Sequence, residues 1–300
     1  MAILEPLISI FSVILLGYIT QKCLKLEIKP ISDMGLYVLT PCLVFYALTK
    51  KPLDAKTLLI PVYFMVAYTS ILWLITAMLG RIFRLSHEKR SLLSLITVTP
   101  NCGNMGIPLV LFCFGEDALE MAVLNLVVFL IPMSSLSIYL AALGRVNPIQ
   151  SFLQIFRIPI IYAMFVAFAL NFLGVQIPSV IAGVVKMLGM AVIPVFLLIL
   201  GMQLSETNIR GEILNLVSAS LPRLLVAPLV AFLVVMLLQI EGLPGKILVL
   251  QTSTPTAVLA LVYAIRFKNS PDFVAGSIFV STLLSMITLG LMIKLVLNFF

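Results

Sequence analysis

The residues whose types and spacing could do chemistry fall in two short stretches. Residues 97–110, TVTPNCGNMGIPLV, set Asn101 and Asn104 between Pro100 and Pro108, with Gly103 and Gly106 among them. Residues 251–257, QTSTPTA, gather Gln251, Thr252, Ser253, Thr254 and Thr256 around Pro255. Amides and hydroxyls donate and accept hydrogen bonds, so both stretches are equipped to hold a polar ligand. They are poorly equipped to transform one, because no histidine lies nearby to act as a base.

The surroundings make these stretches unusual. The chain of 300 residues is 62% hydrophobic and only 10% charged, against roughly 25% charged in soluble chains, and its mean hydropathy is +1.20. Uncharged apolar runs of about 18 residues or more, each able to cross the bilayer as a helix, recur from end to end. They predict a polytopic, all-α membrane protein of ten spans, at roughly 3–21, 31–49, 57–80, 91–113, 119–143, 158–174, 178–204, 212–238, 246–265 and 273–298. The basic n-region of a signal peptide is missing before the first apolar run, which reads as span one. Both polar stretches therefore interrupt spans, the fourth and the ninth.

Lysine and arginine concentrate in alternate connections. Lys22, Lys25, Lys29, Arg81, Arg84, Lys89, Arg90, Arg145, Arg157, Arg210, Arg266 and Lys268 lie in the odd ones, and Lys50, Lys51, Lys56 and Lys246 in the even ones. The positive-inside rule then puts the odd connections in the cytoplasm and both termini outside the cell (inner) membrane. The net charge of +7 reads as a topology signal and implies no nucleic-acid partner. The lone His87 and the four cysteines, Cys23, Cys42, Cys102 and Cys113, have no metal-ligand spacing, and no GxxxxGK[ST] phosphate loop occurs. Neither a cofactor nor ATP hydrolysis is expected.

Ten spans divide into five and five. Asp33 and Pro41 in span two correspond to Lys186 and Pro194 in span seven, and Pro100 to Pro255 at nearly the same offset. An odd number of spans per repeat inverts the second copy. The expected halves are residues 1–143 and 158–300, joined by a short cytoplasmic connection, 144–157.

Interrupted spans at matching positions of inverted halves point to a transporter's binding site. Pro100 leaves carbonyls near Leu95 and Ile96 without helical partners. Gly103 and Gly106 let the chain turn and another backbone approach. Pro108 suits the first turn of a new half-helix, and Thr254 could cap another beginning at Pro255. Half-helix N-termini carry free N–H groups and partial positive charge, a setting for an anion. The plainer alternative is a kink whose asparagines join helices.

These motifs, with MAVIPVFLLILGMQL between them, resemble the auxin efflux carrier family, which includes bacterial organic-acid permeases and plant PIN-formed proteins. The resemblance covers essentially the whole chain. It implies ten helices in two inverted repeats, with helices four and nine crossing at Pro100 and Pro255. Helices one, two, six and seven would form a scaffold, and the rest a core that carries substrate in an elevator-like motion. It further implies a homodimer, and gives Asn101 or Asn104 the role of carboxylate donor. The short 144–157 connection lacks the long loop of many plant members and favours malate, malonate or similar acids over auxin.

Twelve acidic residues lie at or near span ends and none in the broken segments, which speaks against a buried-carboxylate cation antiporter. Sodium held by carbonyls and hydroxyls stays open, as does an anion channel, because broken half-helices also line pores. Two cations lie within spans. Arg223 reads as an interfacial anchor; Lys186 reads either so or as a secondary contact for the anion.

Overall fold

The computed structural model describes residues 4–51, 54–144, 153, 156, 159–207 and 213–299. Arg145, Arg157, Arg210 and Glu212, with most of the 144–157 connection, lie outside the described residues. The described chain is helical, with one isolated β-bridge. Its helices are α1 (Leu4–Leu24), α2 (Ile28–Thr49), α3 (Ala55–Ile82), α4 (His87–Val98), α5 (Cys102–Phe114), α6 (Leu119–Ala141), α7 (Pro159–Phe172), α8 (Ser179–Glu206), α9 (Ile213–Leu237), α10 (Gly242–Thr252), α11 (Val258–Arg266) and α12 (Pro271–Phe299).

Seven of these, α1, α2, α3, α6, α8, α9 and α12, are long and apolar enough to cross a membrane. The other three expected spans correspond to α7, of 14 residues, and to the broken pairs α4–α5 and α10–α11. Large apolar side chains such as Leu173, Val180, Met187 and Leu229 face outward. That much exposed apolar surface suits hydrocarbon, not water.

Between helices in lipid the close packing of small residues does the work that water exclusion does in a soluble core. The tightest crossing is that of α1 with α8. A Cβ on Gly201 would overlap the Ile14 carbonyl oxygen, and one on Gly17 the Leu198 carbonyl oxygen. Helix α8 also packs on α2, and α2 on α7, so α1, α2, α7 and α8 form one connected group. In the rest of the fold α3 packs on α4, α6 and α9, while α12 packs on α9, α10 and α11.

Three helices contain a widened, five-residue turn: Gly35–Leu39 in α2, Cys102–Gly106 opening α5, and Pro222–Val226 in α9. Each ends two residues before a proline, Pro41, Pro108 or Pro228. A proline offers no N–H to the carbonyl four residues earlier. The turn before it widens to i→i+5 bonding, as in Thr40 N–H to the Gly35 carbonyl and Ala227 N–H to the Pro222 carbonyl. Such bulges recur at functional sites, and the second and third carry Asn104 and Arg223.

Candidate functional site

The two interrupted stretches, some 155 residues apart in sequence, cross each other. Thr99 precedes one proline and Thr254 the other, and a residue before proline is pushed out of the helical region. Both chains therefore leave their helices extended. Pro100 faces Thr256 in an antiparallel bridge. Asn101 N–H donates to the Pro255 carbonyl at 2.9 Å, and Ala257 N–H donates to the Thr99 carbonyl at 2.8 Å. The prolines sit where no ladder donor is needed.

Breaking two helices frees carbonyls at the ends of α4 and α10, and burial requires that they find partners. Leu95 O accepts from Thr99 Oγ1 at 2.7 Å and Ile96 O from Thr256 Oγ1 at 3.0 Å. Thr97 O accepts from Arg223 Nη1 at 2.6 Å. Thr252 O accepts from Arg223 Nη2 and, at 3.3 Å, from the Tyr68 hydroxyl. Arg223 Nη2 also donates to the Tyr68 oxygen at 3.1 Å. The expectation that Arg223 anchors at an interface is therefore corrected: its side chain is 0% exposed. The bulge before Pro228 brings it to the crossover, where the C-terminal ends of α4 and α10 supply acceptors for a cation.

Span nine departs from expectation at its second half. Helix α11 begins at Val258, with Ala257 in the capping position and no side-chain cap. Pro255 lies in the extended crossing, and Thr254 Oγ1 donates to the Gln251 carbonyl at 2.7 Å. Thr252 and Ser253 bond back to Leu248 O and Val249 O, both at 2.6 Å. Gln251 accepts from Asn125 Nδ2 at 2.7 Å and donates to Ala122 O at 3.0 Å and Cys102 O at 3.3 Å. It ties α10 to α5 and α6. These side chains line the crossover, but their donors are engaged within the protein.

In the α5 stretch, Pro108 falls in the first turn after the bulge. Gly106 is where α5 and α10 approach: a Cβ there would lie 3.2 Å from Gln251 Cγ and 3.4 Å from the Asn101 carbonyl oxygen. Gly103 meets only the Leu126 side chain and is partly exposed. Asn101 is 3% exposed, and its Nδ2 has no partner among the described residues. Asn104, partly exposed, has no side-chain hydrogen bond among the described residues. The donors left open on this side are thus the two asparagine amides.

Lys186 belongs elsewhere. It pairs with Glu116 at 3.3 Å and lies 5.7 Å over the Tyr46 ring, joining α8 to the turn between α5 and α6 and to α2. Both charged side chains are about half exposed, 46% and 48%.

Arg223, read from sequence as an interfacial anchor, and Tyr68 and Asn125, not singled out there, are the residues that sequence reasoning does not bring to the crossover. A charge eleven residues into an apolar span, between Pro222 and Pro228, is the signal for the first. Asn125, the one polar residue between Glu120 and Ser134 in span five, is a similar but weaker one.

The profile of a family described as "Membrane transport protein" matches residues 2–147 and 142–293. An uncharacterized transporter of Methanocaldococcus jannaschii is 25% identical over 305 residues, covering 98% of this chain and 99% of the relative. An uncharacterized transporter of Methanothermobacter thermautotrophicus is 28% identical over 300 residues, covering 96% of each.

Proposed function

The chain belongs to the membrane transport protein family of auxin efflux carrier-like proteins, and we propose that it works as a secondary carrier for small organic anions held at the crossover. The observation that carries the reading is the meeting of two broken helices beside an unpartnered, buried Asn101 amide. An unsatisfied buried donor costs about 1–3 kcal/mol, and a carboxylate oxygen would satisfy it. Asn104, on the same widened turn, is the second donor. The N-terminal ends of α5 and α11 add partial positive charge.

In this reading α4–α5 and α10–α11 are spans four and nine of ten, in two inverted repeats, with both termini outside. Helices α1, α2, α7 and α8 form the scaffold of a homodimer, and the remaining helices the elevator core. The grouping is supported by the hydrogen bonds of the crossover, whose partners belong to α3, α4, α5, α6, α9, α10 and α12 or to the crossing itself. A sodium-coupled relative needs free carbonyls for its ion, and here Arg223 takes those of Thr97 and Thr252. Malate, malonate and auxin-like carboxylates are the substrates to try.

Ligand-induced stabilisation tests the site. Purified protein should melt at a higher temperature with one of these acids, following the linkage of binding to stability. Asn104→Ala should melt normally alone and lose the response. An unchanged response in the variant would move the site away from the crossover.

A further inference from the structure

We infer that Arg223 sets the charge of the cargo: the crossover holds one fixed positive charge, so among the carboxylates proposed above the carrier prefers monoanions to dianions and moves a monoanion as an electrically neutral loaded site. The inference rests on the reading that a carboxylate binds at the crossover.

Arg223 is the one charged side chain among the fully buried described residues. Its Nη1 and Nη2 partners are the Thr97 and Thr252 carbonyls and the Tyr68 hydroxyl, all formally uncharged. Its Nε has no partner among the described residues. The ion pair found among the described residues is the partly exposed one between Lys186 and Glu116. A buried charge without a counter-charge is expensive and is kept for function.

Helix termini supply the partial compensation. Each carries a charge of roughly half an electron, negative at the C-terminus and positive at the N-terminus. Helices α4 and α10 bring two C-terminal ends to the crossing, roughly −1 together, and Arg223 lies on both. Helices α5 and α11 bring two N-terminal ends, roughly +1 together. Without Arg223 the four ends would cancel. With it the crossing is left near +1, beside the unpartnered Asn101 Nδ2. A single carboxylate brings that to zero, whereas a second would bury an extra negative charge.

Arg223 also travels with the site. Its bonds run to the ends of α4 and α10 and to α3, so any motion that carries the crossover carries the guanidinium. The empty carrier then moves a positive charge and the loaded one none. Arg223 is a positioning residue, fixing charge and the two carbonyl ends without touching the anion.

The test is exchange in proteoliposomes of two acids matched in size, malonate and malonamate, at about pH 7.5, where their carboxylates are ionised. The membrane potential is clamped with potassium and valinomycin. One charge crossing the full potential would shift the loaded equilibrium about fiftyfold per 100 mV. Wild-type exchange of malonamate should instead be insensitive to potential. Malonate should exchange roughly tenfold more slowly or worse, because its second carboxylate is buried without a counter-charge. Arg223→Gln should exchange malonamate roughly tenfold more slowly and in a potential-sensitive way, because the bound carboxylate then has no counter-charge, while Arg223→Lys should keep rapid exchange that ignores the potential. If Arg223→Gln fails to insert, the wild type and Arg223→Lys still decide. Equal exchange of both acids, or malonamate exchange that follows the potential, overturns the inference alone. Exchange of neither acid overturns the carrier reading with it.

Discussion

Replacing Gln251 with leucine should loosen the crossover by roughly 2–4 kcal/mol. The side chain accepts from Asn125 at 2.7 Å and donates to the Ala122 and Cys102 carbonyls at 3.0 and 3.3 Å. Ala122 lies within α6, so its carbonyl keeps a helical partner after the substitution, and the loss there is about 0.5–1 kcal/mol. Asn125 is 0% exposed and its Oδ1 already has no partner. Losing its remaining bond leaves a buried amide unsatisfied, at about 1–3 kcal/mol. At about 2–4 °C per kcal/mol for a chain of this order of size, melting at a fixed scan rate should fall by roughly 5–10 °C. The decisive comparison is the cycle with Asn125→Leu. Interhelical side-chain bonds in membranes couple by ~0.6 kcal/mol on average and ~1.7 at most. The double variant should therefore recover about 0.6–1.7 kcal/mol relative to the sum of the singles. Additivity within about 0.3 kcal/mol would refute the reasoning that these two side chains hold α10 to α6.

Three further outcomes follow from the geometry. Gly201→Val should sharply reduce the yield of monodisperse protein, because any Cβ there overlaps the Ile14 carbonyl oxygen; an unchanged yield in size-exclusion chromatography would contradict the close α1–α8 crossing. Pro255→Ala supplies an N–H that lets α10 and α11 heal toward one helix, so turnover should fall about tenfold, about 1.4 kcal/mol on the barrier, while insertion stays normal. Lys186→Gln removes a half-exposed pair, and exposed pairs contribute little to stability. Its melting point should barely move and its turnover rise up to about fivefold, since α8 is released from the α5–α6 turn. A loss of apparent affinity at unchanged turnover would instead make Lys186 a contact for the anion.

Much of this architecture is legible in the sequence because lipid leaves the backbone few options. Apolar runs marked the helices, and prolines at 100 and 255 marked the two breaks that the fold brings into contact. What the sequence concealed was where freed backbone groups find partners. Thr254 has the chemistry of a helix cap, yet the chain stays extended through Ala257 because its N–H is needed by the Thr99 carbonyl across the crossing. The hydroxyls of span nine looked available to a ligand, but each is drawn to a carbonyl, most of them in its own helix. Arg223 looked long enough to reach an interface. Its placement depends on a pairing across three helices that no local pattern encodes, and only its depth in an apolar span, between Pro222 and Pro228, hints at it.

The most direct test of the central claim is counterflow. Proteoliposomes preloaded with unlabelled malate, malonate or an aromatic acetate receive the labelled acid outside, without an ion gradient. A carrier that binds its anion at the crossover predicts transient accumulation of label by the wild type and none by Asn104→Ala, with the variant inserted and folded. Passive equilibration without overshoot in the wild type would contradict a carrier in favour of a channel. Equal overshoot in both proteins would place the anion somewhere other than the asparagines of α5 and its broken turn.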